Sequence, residues 1–168
     1  MKQWYGVRTF PGYEHKVEEK LKKLIEKDGL ENSIEDIYIP AYKNYTFVRR
    51  VLKRKEELVY PGYVFIKMNL TNEIMYSVRG VQYILGYAGT NEMKKKPDVI
   101  TEAEMQKMMQ DGEKRTSTLE IGDKVIAVVG INEYEVEILE LDLIRETLKA
   151  EINNQVEEFK FENILKVK

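Results

Sequence analysis

The chain has 168 residues, room for one domain of ordinary size or two small ones, which excludes a large multidomain machine. Its 27 basic and 29 acidic residues leave a formal charge of −2, and 43% apolar residues with a mean hydropathy of −0.48 describe a globular chain rather than a disordered one. No apolar run approaches the ~20 residues of a membrane span, the N-terminus lacks the apolar stretch of a signal peptide, and the absence of cysteine excludes disulfides, thiol catalysis and thiolate metal sites. The expectation is a cytoplasmic protein.

In chain order, residues 3–9 read as a strand ended by the turn signal Pro11-Gly12. From Glu14 to Lys27, Val17, Leu21, Leu24 and Ile25 recur at three-to-four spacing, predicting a helix that stops at Asp28-Gly29. Residues 33–40, Tyr45 to Leu52 and Glu57 to Met68 carry the β-branched and aromatic content of strands, the last interrupted by Pro61-Gly62. Thr71 can cap a short helix holding Ile74, Met75 and Val78; Val81 to Leu85 reads as a strand. Thr101-Glu-Ala-Glu104 is a capping box that opens a helix with Met105, Met108 and Met109 inside. The order β-α-β-β-β-α-β-α predicts an α+β fold, helices against an antiparallel sheet, over residues 1–110.

Residues 111–118 contain no apolar side chain and are expected to be a flexible linker. Beyond them apolar residues alternate: Val125/Ala127/Val129, Tyr134/Val136/Ile138, Leu148/Ala150/Ile152, then Val156 and Phe159/Phe161. Four or five short strands in residues 119–168 suit a small barrel. The stretch from Glu133 to Ile152 is also rich in helix formers, and alternation decides for strand. So small a barrel can barely build its own core and would lean on a partner.

The charge is divided. Residues 1–115 hold 21 Lys and Arg against 17 Asp and Glu, whereas residues 116–168 hold 6 against 12. The basic part can meet nucleic acid; the acidic part is a poor general phosphate binder. Catalysis is hard to build: His15 is the only histidine and lies in a Glu/Lys-rich helix, no nucleophile, phosphate-loop or zinc motif is present, and neither a metal nor a cofactor is expected. The informative stretch runs from Lys43 to Lys55, where Lys43, Arg49, Arg50, Lys53, Arg54 and Lys55 are interleaved with Tyr45 and Phe47 in a region that reads as a hairpin. Such an arm suits phosphate contacts, with Arg able to read guanine edges; an ordinary solvated hairpin is the other reading. The strand around Tyr60-Pro-Gly-Tyr63-Val-Phe65 has apolar groups on both faces, so one face would project as a docking patch if helices cover only the other; all three aromatics lying in the core is the alternative.

At these residues the sequence resembles the NusG family of transcription elongation factors. Residues 4–17 match its opening W-Y-x-V…G-x-E-x-x-V, Ile39-Pro40 its V-P, Tyr60 to Phe65 its F-P-G-Y-V, Val78-Arg79…Val81 its V-R-x-x-x-x-V, and Ile121-Gly122-Asp123-Lys-Val125 with Gly130 the start of a KOW domain. The resemblance spans nearly the whole chain. It implies an N-terminal NGN domain joined flexibly to a KOW β-barrel, a non-enzymatic factor whose NGN domain rides on RNA polymerase. By position, Arg8, Tyr60, Tyr63 and Phe65 would meet the clamp helices, and Thr71, Asn72 and Glu73 the gate loop. Ile131-Asn132 stand where the general factor's KOW barrel has Pro-Phe, and Ile152 to Val156 replace the later loop that contributes its contacts to Rho and ribosomal protein S10, which leaves S10 a candidate partner and counts against Rho. With the basic arm, the departures resemble the specialised RfaH and LoaP types, operon-targeted antiterminators, one of which recognises a hairpin in leader RNA. The chain is expected to act as a monomer.

Overall fold

The computed structural model describes all of residues 1–168. The N-terminal elements are β1 (Gln3–Thr9), α1 (Glu14–Asp28), β2 (Ile34–Tyr38), β3 (Ala41–Val48), β4 (Val51–Leu58), β5 (Tyr63–Met68), α2 (Asn72–Arg79), β6 (Ile84–Tyr87) and α3 (Glu102–Gly112). There follow β7 (Arg115–Ser117), β8 (Lys124–Val129), β9 (Asn132–Asp142), β10 (Thr147–Ile152), β11 (Gln155–Lys160), a single 3-10 turn at Phe161–Asn163, and β12 (Ile164–Lys166). Four strands, not three, separate α1 from α2, because a turn at Arg49-Arg50 divides the stretch read as one strand from Tyr45 to Leu52.

The chain forms two compact units, each from two stretches: Met1–Ala41 with Leu58–Gly112, and Tyr42–Glu57 with Glu113–Lys168. In the first, an antiparallel sheet of order β2-β5-β1-β6 has helices on both faces. The alternation of β1 and β5 sends Tyr5, Val7, Val64, Ile66 and Met68 to one face, where they meet Val17 and Leu21 of α1 and Ile74 and Val78 of α2. The other face holds Trp4 and Phe65 under Met105 of α3. Local chemistry closes each helix as its sequence suggests. Gly29 ends α1 with φ 63°, a left-handed conformation that costs glycine nothing. Thr71 accepts a hydrogen bond from the Ile74 N–H at 3.3 Å at the start of α2, and the Glu104 N–H donates to Thr101 Oγ1 at 3.2 Å in the first turn of α3.

In the second unit the sheet runs β11-β10-β9-β8-β12-β4-β3-β7. The five strands β8 to β12 curl into a half-barrel around Val125, Ala127, Val136, Ile138, Leu148, Ala150, Phe159, Phe161 and Ile164, the alternating residues of the sequence. Pairing of β9 with β8 on one side and β10 on the other uses its backbone groups along most of its length, which fixes the helix-compatible Glu133–Ile152 stretch as strand. The barrel core is completed from outside residues 119–168: Tyr45 of β3, 1% exposed, and Leu52 of β4, 7% exposed, are buried in it, and β12 pairs with β4 at Leu165 and Val51. Burying each side chain contributes about 1.5–3 kcal/mol, a large share for so small a core.

The units therefore divide elsewhere than at the expected linker. The hairpin 42–57, read with the N-terminal fold, belongs with the barrel, and residues 111–118 hold the end of α3 and strand β7, which runs parallel to β3. A polar stretch needs no apolar anchor when its backbone completes a sheet: Thr118 N–H donates to the Tyr45 carbonyl at 3.0 Å and Lys43 N–H to the Lys114 carbonyl at 3.2 Å.

Candidate functional site

Three groups of side chains are candidates, two in the first unit and one in the second. The first surrounds the Pro61-Gly62 turn. Arg8 of β1 pairs in register with Tyr63 of β5, and the Thr9 N–H donates to the Gly62 carbonyl at 2.8 Å. Tyr63 and Phe65, two apart on one strand, point to the same face and stack with centroids 6.3 Å apart and planes 14° apart. Tyr60 meets Phe65 edge-on at 6.0 Å. Arg8 is exposed and Tyr60 is 36% exposed, whereas Tyr63 is half-buried and Phe65 only 4% exposed. The face expected to project is thus covered at Phe65, because α3 brings Met105 down on it and helices cover both sides of the sheet. Phe65 is the floor of this patch; Tyr60 and Arg8 are its accessible part.

One residue central to this geometry stands in the G-x-E motif of the sequence without any role that the sequence assigns to it. Glu14, 2% exposed, accepts from the Gly12 N–H with Oε1 at 2.8 Å and from the Gly62 N–H with Oε2 at 2.7 Å. A single carboxylate thereby ties the turn after β1 to the turn before β5 and sets the frame for Arg8 and Tyr60. Its signal was the spacing Gly12-x-Glu14, hidden among the surface carboxylates of an amphipathic helix.

The second group, Thr71, Asn72 and Glu73, lies exposed at the start of α2. The Thr71 hydroxyl is engaged in capping, so Asn72 and Glu73 are the side chains left to face outward.

The third group is the hairpin β3–β4. Arg49 and Arg50 form its two-residue turn with φ 52° and 71°. Turns of this kind favour Asn-Gly, because left-handed backbone crowds a Cβ at a cost of roughly 1–2 kcal/mol per residue. The six cations do not share one fate. Arg54 approaches Glu146 at 3.5 Å, a solvent-exposed pair worth about 0–1 kcal/mol. Arg50 donates from Nε to the Lys166 carbonyl at 3.1 Å, and Lys43 is half-buried. Arg49, Lys53 and Lys55 remain exposed, the two lysines on the face of β4 opposite the buried Leu52. The interleaved aromatics are not stacking platforms: Tyr45 is core, edge-on to Phe161 at 5.3 Å, and Phe47 packs beside it. The Tyr45 hydroxyl lies 3.0 Å from Glu146 and accepts from Arg115 at 2.8 Å; burial first, then the Glu146 carboxylate, pushes its phenol above the ordinary tyrosine range. On the opposite face Glu57 accepts from Tyr42 at 2.7 Å and from Asn44 at 3.2 Å, which holds its carboxyl below the usual range.

A protein-family profile described as "Transcription termination factor nusG" matches residues 2–109. The transcription termination/antitermination protein NusG of Lactococcus lactis is 33% identical over 106 residues, covering 63% of this chain and 57% of that protein. Its Bacillus subtilis counterpart is 27% identical over 157 residues, covering 90% of this chain and 89% of that protein. Among solved structures, one titled "Domain interaction in Thermotoga maritima NusG" superposes with a TM-score of 0.54 at 26% identity, covering 100% of this chain and 98% of that one. With the profile spanning well over half the chain, and relatives that continue through the barrel, the chain belongs to the NusG family of transcription factors.

Proposed function

We propose that this protein binds RNA polymerase through its first unit, promotes processive elongation and antitermination, and is recruited to particular operons by a hairpin in leader RNA. Arg8 and Tyr60, floored by Tyr63 and Phe65, dock on the clamp helices; Asn72 and Glu73, with Thr71, face the gate loop. A clamp held closed across the nucleic-acid channel disfavours the rearrangements behind pausing and hairpin termination, so binding energy shifts a conformational population and no bond is made or broken. The observation that supports RNA recruitment is the arginine-arginine turn, with Arg49 and Lys53 exposed and in no salt bridge. Electrophoretic mobility shift with leader-derived stem-loops tests it. Replacing Arg49, Arg50, Lys53 and Arg54 with Ala abolishes RNA binding and leaves polymerase binding intact; unchanged RNA affinity sinks the recruitment step.

A second reading, a general factor that couples polymerase to Rho or ribosomal protein S10 through the barrel, is favoured by one observation: Ile131, Ile144 and Val156 stand exposed at the barrel's turns and edge. It predicts that the barrel-containing chain binds S10 or Rho in NMR titration with shifts centred on those three residues.

A further inference from the structure

The turn that carries Arg49 and Arg50 is not held by the hairpin alone. Leu165 of β12 sits in register with Val51, which places Lys166 across from Arg50. The Lys166 N–H donates to the Arg50 carbonyl at 2.9 Å, and Arg50 Nε returns a bond to the Lys166 carbonyl at 3.1 Å. Two cationic residues, one in the turn and one on β12, are thus held side by side through their backbones, and like charges so placed do not stabilise each other. Arg49 beside them is exposed and held at φ 52°. No carboxylate lies within salt-bridge distance of any of the three. The fold accepts left-handed backbone at two arginines and a lysine bonded to one of them through the backbone, and supplies no anion to offset the three charges. A phosphate backbone would supply it, with the terminal guanidinium nitrogens of Arg50 still available once Nε is engaged.

We propose that the nucleic-acid site is bipartite: Lys166, on the last strand of the barrel, joins Arg49 and Arg50 as a phosphate contact to hairpin RNA, and β12 holds the arginine turn in its binding shape. The acidic C-terminal part of the chain is therefore a component of the RNA reader. This rests on the RNA reading above, and the variants below separate the two.

The experiment uses the full chain and a fluorescein-labelled RNA stem-loop, with affinity measured by anisotropy across a salt series. Each lost phosphate contact lowers the slope of log affinity against log salt by about 0.7–0.9. Lys166→Glu is expected to weaken binding roughly tenfold and to reduce the slope by at least that one contact. Arg49→Asn, which suits the left-handed position, is expected to weaken binding while its melting temperature stays level or rises, a combination that a merely structural role for Arg49 would not give. If Lys166→Glu leaves affinity and slope unchanged while Lys53→Glu weakens binding, the bipartite site is wrong and the hairpin reading stands. If Lys53→Glu, Arg49→Asn and Lys166→Glu all bind like the parent chain, the RNA reading itself fails.

Discussion

The protein builds two tight turns by opposite means. At Pro61-Gly62 the left-handed position, φ 85°, is given to glycine, and the turn's buried N–H is met by the Glu14 carboxylate. At Arg49-Arg50 two left-handed positions are given to arginine, and the turn is tied only to the backbone of β12. Where shape alone matters, the sequence uses the residue that adopts it without strain; where charge must be displayed, it keeps the charge and accepts the strain.

The first of these turns depends most on Glu14. Glu14→Ala leaves the buried Gly62 N–H without an acceptor and frees the more exposed Gly12 N–H to water, and is expected to destabilise the first unit by about 1–3 kcal/mol. That would appear as a much lowered midpoint in urea unfolding, with weakened polymerase binding. Glu14→Gln, which keeps one acceptor, falls between the two. Next, Gly62→Ala forces a Cβ into left-handed backbone with the Thr9 carbonyl 3.5 Å away. A loss of about 1–2 kcal/mol is expected by the same unfolding assay, and a neutral result would remove the contrast between the turns. The second turn should respond in the other direction: Arg49→Asn is expected to stabilise by up to about 1 kcal/mol, read as a rise in thermal midpoint. The smallest effect concerns pH. Burial raises the Tyr87 phenol well above its ordinary value near 10, and its hydroxyl donates to the Met75 carbonyl at 3.1 Å. The folded state therefore holds this proton more tightly than the unfolded one, so its contribution is full below pH ~10 and is lost as pH rises beyond that. Tyr87→Phe should flatten the alkaline limb of a stability profile.

How legible each region was follows from how local its determinants are. Helix α1 was readable to within a residue because apolar spacing and Asp28-Gly29 lie within the segment itself. The barrel strands were readable because alternation is also local, and it outweighed the helix-favouring composition once neighbouring strands could pair. The strand β6 was read three residues early, since Val81 and Tyr83 pack on the same core as the strand without being part of it. The basic arm was legible as a hairpin, but not the fate of each cation: Arg54 is paired by Glu146 and Arg50 by Lys166, partners more than 90 residues away. For the same reason the projecting aromatic face was only half visible, because Met105, which covers Phe65, comes from a helix 40 residues later.

By itself, then, the sequence determined the α+β and barrel elements, the division of charge and the family, all of which rest on periodicity and ordered motifs along the chain. The tertiary structure alone decided that the hairpin 42–57 belongs with the barrel. It also decided that Glu14 is a buried tie between two turns and that the arm's exposed cations outside any salt bridge are Arg49, Lys53 and Lys55. The physical reason is common to all three. Burial and charge pairing depend on which distant segments meet, and a core as small as this barrel's is completed by whichever apolar strand reaches it, here the one carrying Leu52 beside its lysines.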